Sequence, residues 1–201
     1  MYHVIHRGIN KRELFKDPQD FEVFTQYLVE YLQPKELTSR QIRESHKSHE
    51  IVSKKLFYLD RLKNYHDKIE LISYALMPNH IHLQIYQASD EDMSKFLHSI
   101  CIRYSSYFHK KYRWLGTIYQ SRFKAKLVDT DEYCVWVSKY IHLNPSVIAK
   151  PNEYKWSSYK NYATQEFPHW IKPSKLYKSY RKSPYAKGWK SYGEYLEDWS
   201  V

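Results

Sequence analysis

The 201-residue chain is poor in glycine and cysteine and has no long hydrophobic run. It contains only 4 glycines and 2 cysteines, Cys101 and Cys134. Two isolated cysteines fit neither a zinc-binding spacing nor a disulfide framework, so we expect free thiols in a reducing compartment. No apolar segment approaches the length of a membrane span, and the first seven residues lack the apolar stretch of a signal peptide. The sequence therefore predicts a cytoplasmic protein with no membrane partner.

Basic and aromatic residues, by contrast, are abundant. The formal net charge is +10, and the chain has 21 tyrosines and 6 tryptophans. A charge of this sign indicates a polyanionic partner, and nucleic acid is the first candidate. An acidic membrane surface is less well supported, because the cations are interleaved with aromatics along the chain rather than confined to one amphipathic segment.

Hydrophobic periodicity predicts an alternation of strands and helices. Strands are expected over 2–9, 68–76 and 81–86, followed by two short strands or one bent strand over 116–128. Helices are expected from Asp17 to before Pro34, within 35–67, over 92–112 and after Asp129. This order predicts an α+β sandwich with helices packed on one face of a small antiparallel sheet.

The composition also suggests where the chain divides. Residues 1–160 are predicted to form one domain that carries a helical insertion over 35–67. Residues 161–201 are predicted to form a basic, aromatic C-terminal extension. The aromatic side chains of this extension could stack on unpaired bases or simply cover the domain.

Two histidines flank Ile81 at the start of a predicted strand. Because side chains alternate along a strand, His80 and His82 share one face. Two imidazoles on one face can reach a single metal ion or a single phosphate. In a chain with 11 histidines the same pair also fits hydrogen-bonded surface residues, so the pair alone does not define a metal site.

The last predicted helix carries Tyr140 and Asn144 four residues apart, which places them on one helix face. A tyrosine phenol, with a free pKa of about 10, can attack a phosphodiester when a nearby cation activates it. An asparagine oxygen could join two imidazoles around a divalent ion and leave positions open for a phosphate oxygen. Asn144 is equally well explained as the end of the helix, since Pro145 follows it. Periodicity places Tyr133, Trp136, Val137, Tyr140 and Ile141 on the buried face of this helix.

Basic residues recur between the predicted third and fourth helices. Arg122, Lys124 and Lys126 alternate along a predicted strand, which aligns three cations on one face for phosphate contacts. A solvated strand face is the alternative. Arg103, on the preceding helix, is a further candidate for the same DNA-binding surface.

Four motifs, in this order, resemble those of the single-tyrosine HUH transposases of the IS200/IS605 type. They are most similar to the branch called REP-associated tyrosine transposases. The motifs occupy residues 77–82, 116–124, 140–145 and 156–159, and residues 2–8 resemble the first strand of the family. The resemblance covers roughly residues 1 to 160.

The resemblance implies a ferredoxin-like domain that acts on single-stranded or hairpin DNA with Mg²⁺ or Mn²⁺. It implies that His80 and His82 bind the metal and that Tyr140 attacks a phosphodiester, which leaves a 5′-phosphotyrosine link and a free 3′-hydroxyl. Asn144 stands where the family places a polar residue that is often a ligand. The long segment 35–67 and the tail after Thr164 depart from the family, so the choice between monomer and homodimer is left open.

Three other functions compete with this one. A catalytically silent DNA-binding or regulatory protein descended from a transposase would keep the fold without the chemistry. A metal-dependent hydrolase of a small substrate would keep its activity in a Tyr140→Phe variant and form no DNA adduct. An RNA-binding module would need its aromatic and basic residues on one sheet face.

Overall fold

The structure, a computed structural model, describes residues 1–198. Its strands are β1 (Tyr2–Arg7), β2 (Ile69–Met77), β3 (His80–Gln87) and β4 (Lys124–Leu127). The helices of the first part are α1 (Pro18–Leu32), α2 (Lys35–Ser45), α3 (His49–Arg61) and α4 (Asp92–Tyr112). The helices of the second part are α5 (Asp131–Leu143), α6 (Tyr159–Thr164), α7 (Ser174–Lys182) and α8 (Tyr192–Glu197). No helix in the described part of the chain is long and apolar enough to cross a membrane.

The four strands form one antiparallel sheet in the order β2-β3-β1-β4. With α1 and α4 as the two connecting helices, this is a ferredoxin-like arrangement, and the predicted α+β class is confirmed. Ile81 and Leu83 of β3 join the buried cluster that contains residues of α1 and α4. Ile72 and Ala75 of β2 join a second cluster with α5 and the helices that follow it. Helices α1 and α4 therefore lie on one face of the sheet, as predicted, but α5 and the helices after it cover the other face, so the helices do not all pack on one face.

The segment 35–67 contains two helices, α2 and α3, where the sequence suggested one. The chain is extended at His46, and Ser48 starts α3 by accepting a hydrogen bond from the backbone N–H of Ile51. A serine at this position satisfies an N–H group that the helix itself leaves free. Leu59 is the buried residue of α3.

The C-terminal segment packs closely on α5. Tyr162, Tyr180, Tyr192 and Tyr195 are buried in the same cluster as Val137 of α5. Of the two roles considered for the aromatic residues of this segment, covering the domain is the one that these four tyrosines serve.

A buried carboxylate joins the start of α1 to the end of α4. Asp20 is fully buried and accepts hydrogen bonds from the Lys111 ammonium (2.7 Å), the Tyr107 hydroxyl (2.8 Å) and the Tyr112 hydroxyl (2.7 Å). It also accepts from the backbone N–H of Lys16 at 2.8 Å. Burial by itself raises the pKa of Asp20, but the hydrogen bonds from Lys111, Tyr112 and the others outweigh it and hold the pKa below its usual value.

Replacing Asp20 by asparagine is expected to lower the free energy of unfolding by about 3 kcal/mol, because two hydroxyls and the partly buried Lys111 ammonium, which keeps Asp17 as a partner, lose a buried anionic acceptor. Since the folded-state pKa of Asp20 is below its unfolded value of about 3.9, its stabilisation is complete above that value. It is lost as the pH falls through the folded-state pKa. Urea unfolding of both proteins at several pH values measures this difference. Asp17→Asn, which keeps an N-cap residue at a partly exposed position, is the control and should lose less stability; equal losses would contradict the role given to Asp20.

Candidate histidine–tyrosine site

The site lies on the sheet face that α5 covers. In the antiparallel pairing of β1 with β3, Ile5 is opposite His82 and Arg7 is opposite His80. His80 and His82 therefore lie on one face, as the alternation predicted, with their ring centroids 4.8 Å apart. Directly paired residues point to the same side of a sheet, so Arg7 lies on this face as well.

Each of the two histidines has a hydrogen-bond partner at its Nδ1 atom. Nδ1 of His80 lies 2.6 Å from the side-chain oxygen of Asn79, which can only accept, so this nitrogen donates. Nδ1 of His82 lies 3.0 Å from Nε2 of His3 on β1. Metal-binding histidines commonly fix their tautomer in this way, with one ring nitrogen bonded to a neighbour and the other left for the ion.

Nε2 of His80 faces α5. It lies 3.3 Å from the side-chain oxygen of Asn144, at the point where α5 ends and a short 3₁₀ turn (Asn144–Val147) begins. A nitrogen lone pair and an amide oxygen at this separation are two acceptors that a shared cation would satisfy. Nε2 of His80 and the amide oxygen of Asn144 thus lie close enough to bind a shared ligand.

The environment keeps the imidazoles neutral. Burial, and then the charges of His80, His3 and Arg7, together lower the pKa of His82 to about 2. Burial also lowers the pKa of His80, with a smaller effect of the Arg7 charge. A neutral imidazole has the free lone pair that a metal ion requires. Within residues 1–198 no group of three or more His, Cys, Asp or Glu side chains could hold a metal.

Tyr140 lies against the histidines. Its ring makes edge contacts with His82, at 5.6 Å between centroids, and with His3, at 5.8 Å. Trp136, one turn earlier on α5, stacks on the other side at 5.4 Å and 11°. Tyr140 remains 40% exposed, so a substrate can reach its hydroxyl.

The exposure of Tyr140 and Trp136 corrects one expectation from the sequence. Both were placed on the buried face of the helix, but Trp136 is 41% exposed. The prediction is confirmed for Val137 and Ile141, and the buried positions of α5 are Cys134, Val135, Val137, Ser138, Lys139, Ile141 and His142. The buried side of α5 is rotated relative to the predicted one, because α5 packs on the sheet and on the C-terminal helices at the same time. This leaves the side that carries Tyr140 exposed.

Two of the predicted DNA-binding cations lie beside the site. In the pairing of β1 with β4, Lys126 is opposite His3 and Lys124 is opposite Ile5, so both lysines share the face of the site. The Lys126 ammonium lies 4.7 Å from the ring centroid of Tyr133 on α5. Strand β4 is an exposed edge strand, and Lys126 lies close enough to His3 for its charge to lower the pKa of that imidazole.

The other two predicted cations are placed differently. Arg122 is exposed but precedes β4, since only residues 124–127 of the segment 116–128 form a strand. Arg103 lies on α4, on the opposite side of the sheet, and its guanidinium forms an ion pair with Glu30 at 2.6 Å. Arg103 also stacks on the Tyr27 ring at 3.7 Å, so the structure does not bring it to the site.

His3, Arg7 and Asn79 belong to this site and were not assigned to it from the sequence. The signal was present in part, because His3 and Arg7 have the spacing of one face of the predicted first strand. What the sequence did not provide was the pairing of β1 with β3, which lie about 80 residues apart. Asn79 precedes the strand, and only its contact with His80 reveals its role.

Comparison with known proteins adds two findings. A family model described as "Transposase IS200 like" matches residues 41–144, just over half of the chain. Among solved structures, the chain is similar to a REP-associated tyrosine transposase bound to a REP hairpin, with a TM-score of 0.51 and 12% sequence identity. That similarity covers 85% of this chain and 83% of the other, and at this identity it is a similarity of fold. The comparison with curated proteins found no matching sequence.

Proposed function

Because the chain belongs to the IS200-like transposase family, we propose that it cleaves and rejoins single-stranded DNA and that Tyr140 is the nucleophile. The family resemblance predicted from the four motifs is confirmed. The observation that supports the proposal most directly is the position of Tyr140. An accessible tyrosine ring contacts His82 on the same sheet face as His80 and Asn144.

His80 and His82 would bind a divalent ion, Mg²⁺ or Mn²⁺, through their Nε2 atoms, and Asn144 through its amide oxygen. Such an ion, when bound, supplies Lewis-acid stabilisation of negative charge on a phosphate oxygen. Asn79 and His3 would hold the two imidazoles in the orientation that this requires, since they occupy the Nδ1 atoms.

The reaction follows from these positions. The hydroxyl oxygen of Tyr140 attacks a phosphorus of the DNA strand, a P–O bond to the tyrosine forms, and the bond from phosphorus to the 3′ oxygen breaks. The phenol loses its proton and the 3′ oxygen gains one, so the products are a 5′-phosphotyrosine and a free 3′-hydroxyl. The energy of the broken phosphodiester is kept in the new one, and the 3′-hydroxyl of another strand can therefore reverse the step.

The proposed substrate is single-stranded DNA next to a hairpin. A REP hairpin is bound by the solved transposase of similar fold. In this chain, Lys124, Lys126 and Arg7 lie on the same sheet face as the two histidines, which suits a polyanionic strand. A cytoplasmic location remains a prediction from the sequence.

The experiment that tests this function is a covalent-adduct assay. Hairpin oligonucleotides from the genomic flank of the gene, labelled at the 5′ or the 3′ end, are incubated with the protein and Mn²⁺ or EDTA. The proposal expects a metal-dependent adduct that carries the 3′ label only, and mass spectrometry of the labelled peptide should identify Tyr140. Tight binding of these hairpins without any adduct would instead support the catalytically silent DNA-binding protein.

The two β4 lysines give a second expectation. Replacing Lys124 and Lys126 together by glutamine should weaken binding of single-stranded DNA and reduce the slope of log K against log salt by about 1.4, since each phosphate contact on a single strand contributes about 0.7. Fluorescence anisotropy at several salt concentrations measures the slope. The control is the double variant Lys63→Gln, Lys68→Gln. Both lysines are exposed and precede β2, which forms the edge of the sheet opposite to β4. Equal slopes in both double variants would contradict a role of β4 in phosphate binding.

A further inference from the structure

A cavity of about 370 Å³ lies beside the end of β1, outside the histidine–tyrosine site. Its wall is apolar and aromatic, formed by Phe108, Trp114 and Ile118. Its rim is basic, formed by Lys11, Arg12 and Lys16. None of the residues proposed for metal binding or cleavage lines this cavity, so its composition calls for a separate explanation.

The cations of the rim are available for a ligand. Lys11, Arg12 and Lys16 are exposed, and none of them forms an ion pair with another residue of the described chain. The Arg12 guanidinium lies 5.2 Å from the Trp114 ring centroid, and the Lys16 ammonium lies 5.3 Å from that of Phe108. Cations next to aromatic surface are the combination that proteins use for the phosphate and the base of an unpaired nucleotide.

The loop that carries the rim is held in an unusual conformation. Asn10 and Lys11 both have positive φ angles, 50° and 60°, which side-chain-bearing residues rarely adopt. Gly8 makes this fold of the loop possible, because a Cβ at residue 8 would lie 2.1 Å from the carbonyl oxygen of Arg12. Strain of this kind persists where the surrounding structure fixes it, and it is common at binding sites. The loop therefore presents its cations in a fixed position.

The same loop is bonded to the residues next to the metal-binding histidines. The backbone N–H of Leu14 donates to the carbonyl of Pro78, and the Asn79 amide donates to the carbonyl of Lys11 at 3.2 Å. The oxygen of the same Asn79 side chain accepts from Nδ1 of His80. The side chain of Asn79 thus connects the loop that forms the rim of the cavity to His80.

We propose that this cavity binds one unpaired nucleotide of the DNA strand whose scissile phosphate lies at the histidine–tyrosine site. The base stacks against Trp114, and its phosphates contact Arg12 and Lys16. Glu13 also lines the cavity; its carboxylate disfavours phosphate at that point and favours the exocyclic amine of a base. The proposal rests on the proposed function for the identity of the strand.

Binding is measured by fluorescence anisotropy with the Tyr140→Phe protein in EDTA, so that no cleavage enters the result. The probe is a genomic-flank hairpin with unpaired extensions, in which each unpaired nucleotide is replaced in turn by an abasic residue. One position should weaken binding about tenfold, the size expected for a lost base–aromatic stack. In a Trp114→Ala background the same abasic position should cause no further loss, because the partner of that base is already gone.

Arg12→Gln and Lys16→Gln leave Trp114 in place. Each should lower the slope of log K against log salt by about 0.7, whereas Lys63→Gln should not. Trp114→Phe should retain the abasic effect, since an aromatic ring remains. The loss of DNA affinity from Trp114→Ala could instead add to the loss from every abasic position while the hairpin still binds tightly. In that case the cavity does not hold a base, and only the proposed function survives. Absence of hairpin binding by the unmodified chain would overturn both.

Discussion

Replacing Tyr140 by phenylalanine is expected to abolish the protein–DNA adduct and to slow strand cleavage on the order of 10³-fold or more, as is usual when an enzyme loses its nucleophile. The ring contacts with His82, His3 and Trp136 do not involve the hydroxyl, so phenylalanine should keep the local packing. DNA binding and thermal stability should therefore be unchanged. Cleavage of a labelled hairpin in single-turnover conditions measures the rate.

The matched control is Tyr133→Phe. Tyr133 lies two turns earlier on α5, and its ring stacks on Trp136 at 5.9 Å. The side chain is chemically identical to that of Tyr140 but has no contact with the histidines among the described interactions. Its loss of a hydroxyl should leave cleavage at the original rate. If Tyr140→Phe cleaves as fast as Tyr133→Phe, the nucleophile is elsewhere, and a hydrolase that uses the histidines on another substrate becomes the better explanation.

The second large effect is expected at the histidines. His80→Gln and His82→Gln should each remove metal-dependent cleavage, because each removes one imidazole from a set of three donors. The affinity for Mn²⁺, followed by electron paramagnetic resonance or calorimetry, should fall by more than in His3→Gln. That variant loses only the partner of His82, and such a loss typically lowers metal affinity about 10–100-fold.

His98→Gln is the control for these variants, since His98 is exposed on α4 and away from the site. An unchanged Mn²⁺ affinity in both His80→Gln and His82→Gln would contradict the proposed metal site. Retained Mn²⁺ binding by Asn144→Ala would remove only the third donor from the proposal. The order expected for loss of affinity is thus His80 or His82 first, then His3, with His98 unchanged.

The local parts of the fold and site were predictable from the sequence, and the long-range parts were not. The strand face shared by His80 and His82 follows from alternation over three residues, and α1 begins at its predicted cap, where Asp17 accepts from the backbone of Asp20. The inclusion of His3, by contrast, depends on a pairing between strands that are far apart in the chain. Periodicity within a segment carries no information about such a pairing.

The orientation of α5 shows the same limit. Its aromatic residues have the period of a helix face, and the sequence placed that face inside. Helix α5 buries side chains against two surfaces, the sheet and the C-terminal helices. The tyrosines of the C-terminal helices form the second of these surfaces. An aromatic residue at helical spacing can equally be buried or remain open beside a groove, because tyrosine and tryptophan tolerate both environments.

The sheet order has a consequence for how the chain folds during synthesis. Strand β1 is made first, yet it lies between β3 and β4 and has no partner until they appear. At about 5–20 residues per second, β3 leaves the ribosome roughly 4–16 s after β1, and α5 with Tyr140 later still. Until then Val4 and the rest of β1 remain unpaired, which exposes the nascent chain to aggregation or to holding chaperones. The histidines and the tyrosine meet only after α5 has been made, so nascent fragments that end before residue 140 lack a complete site.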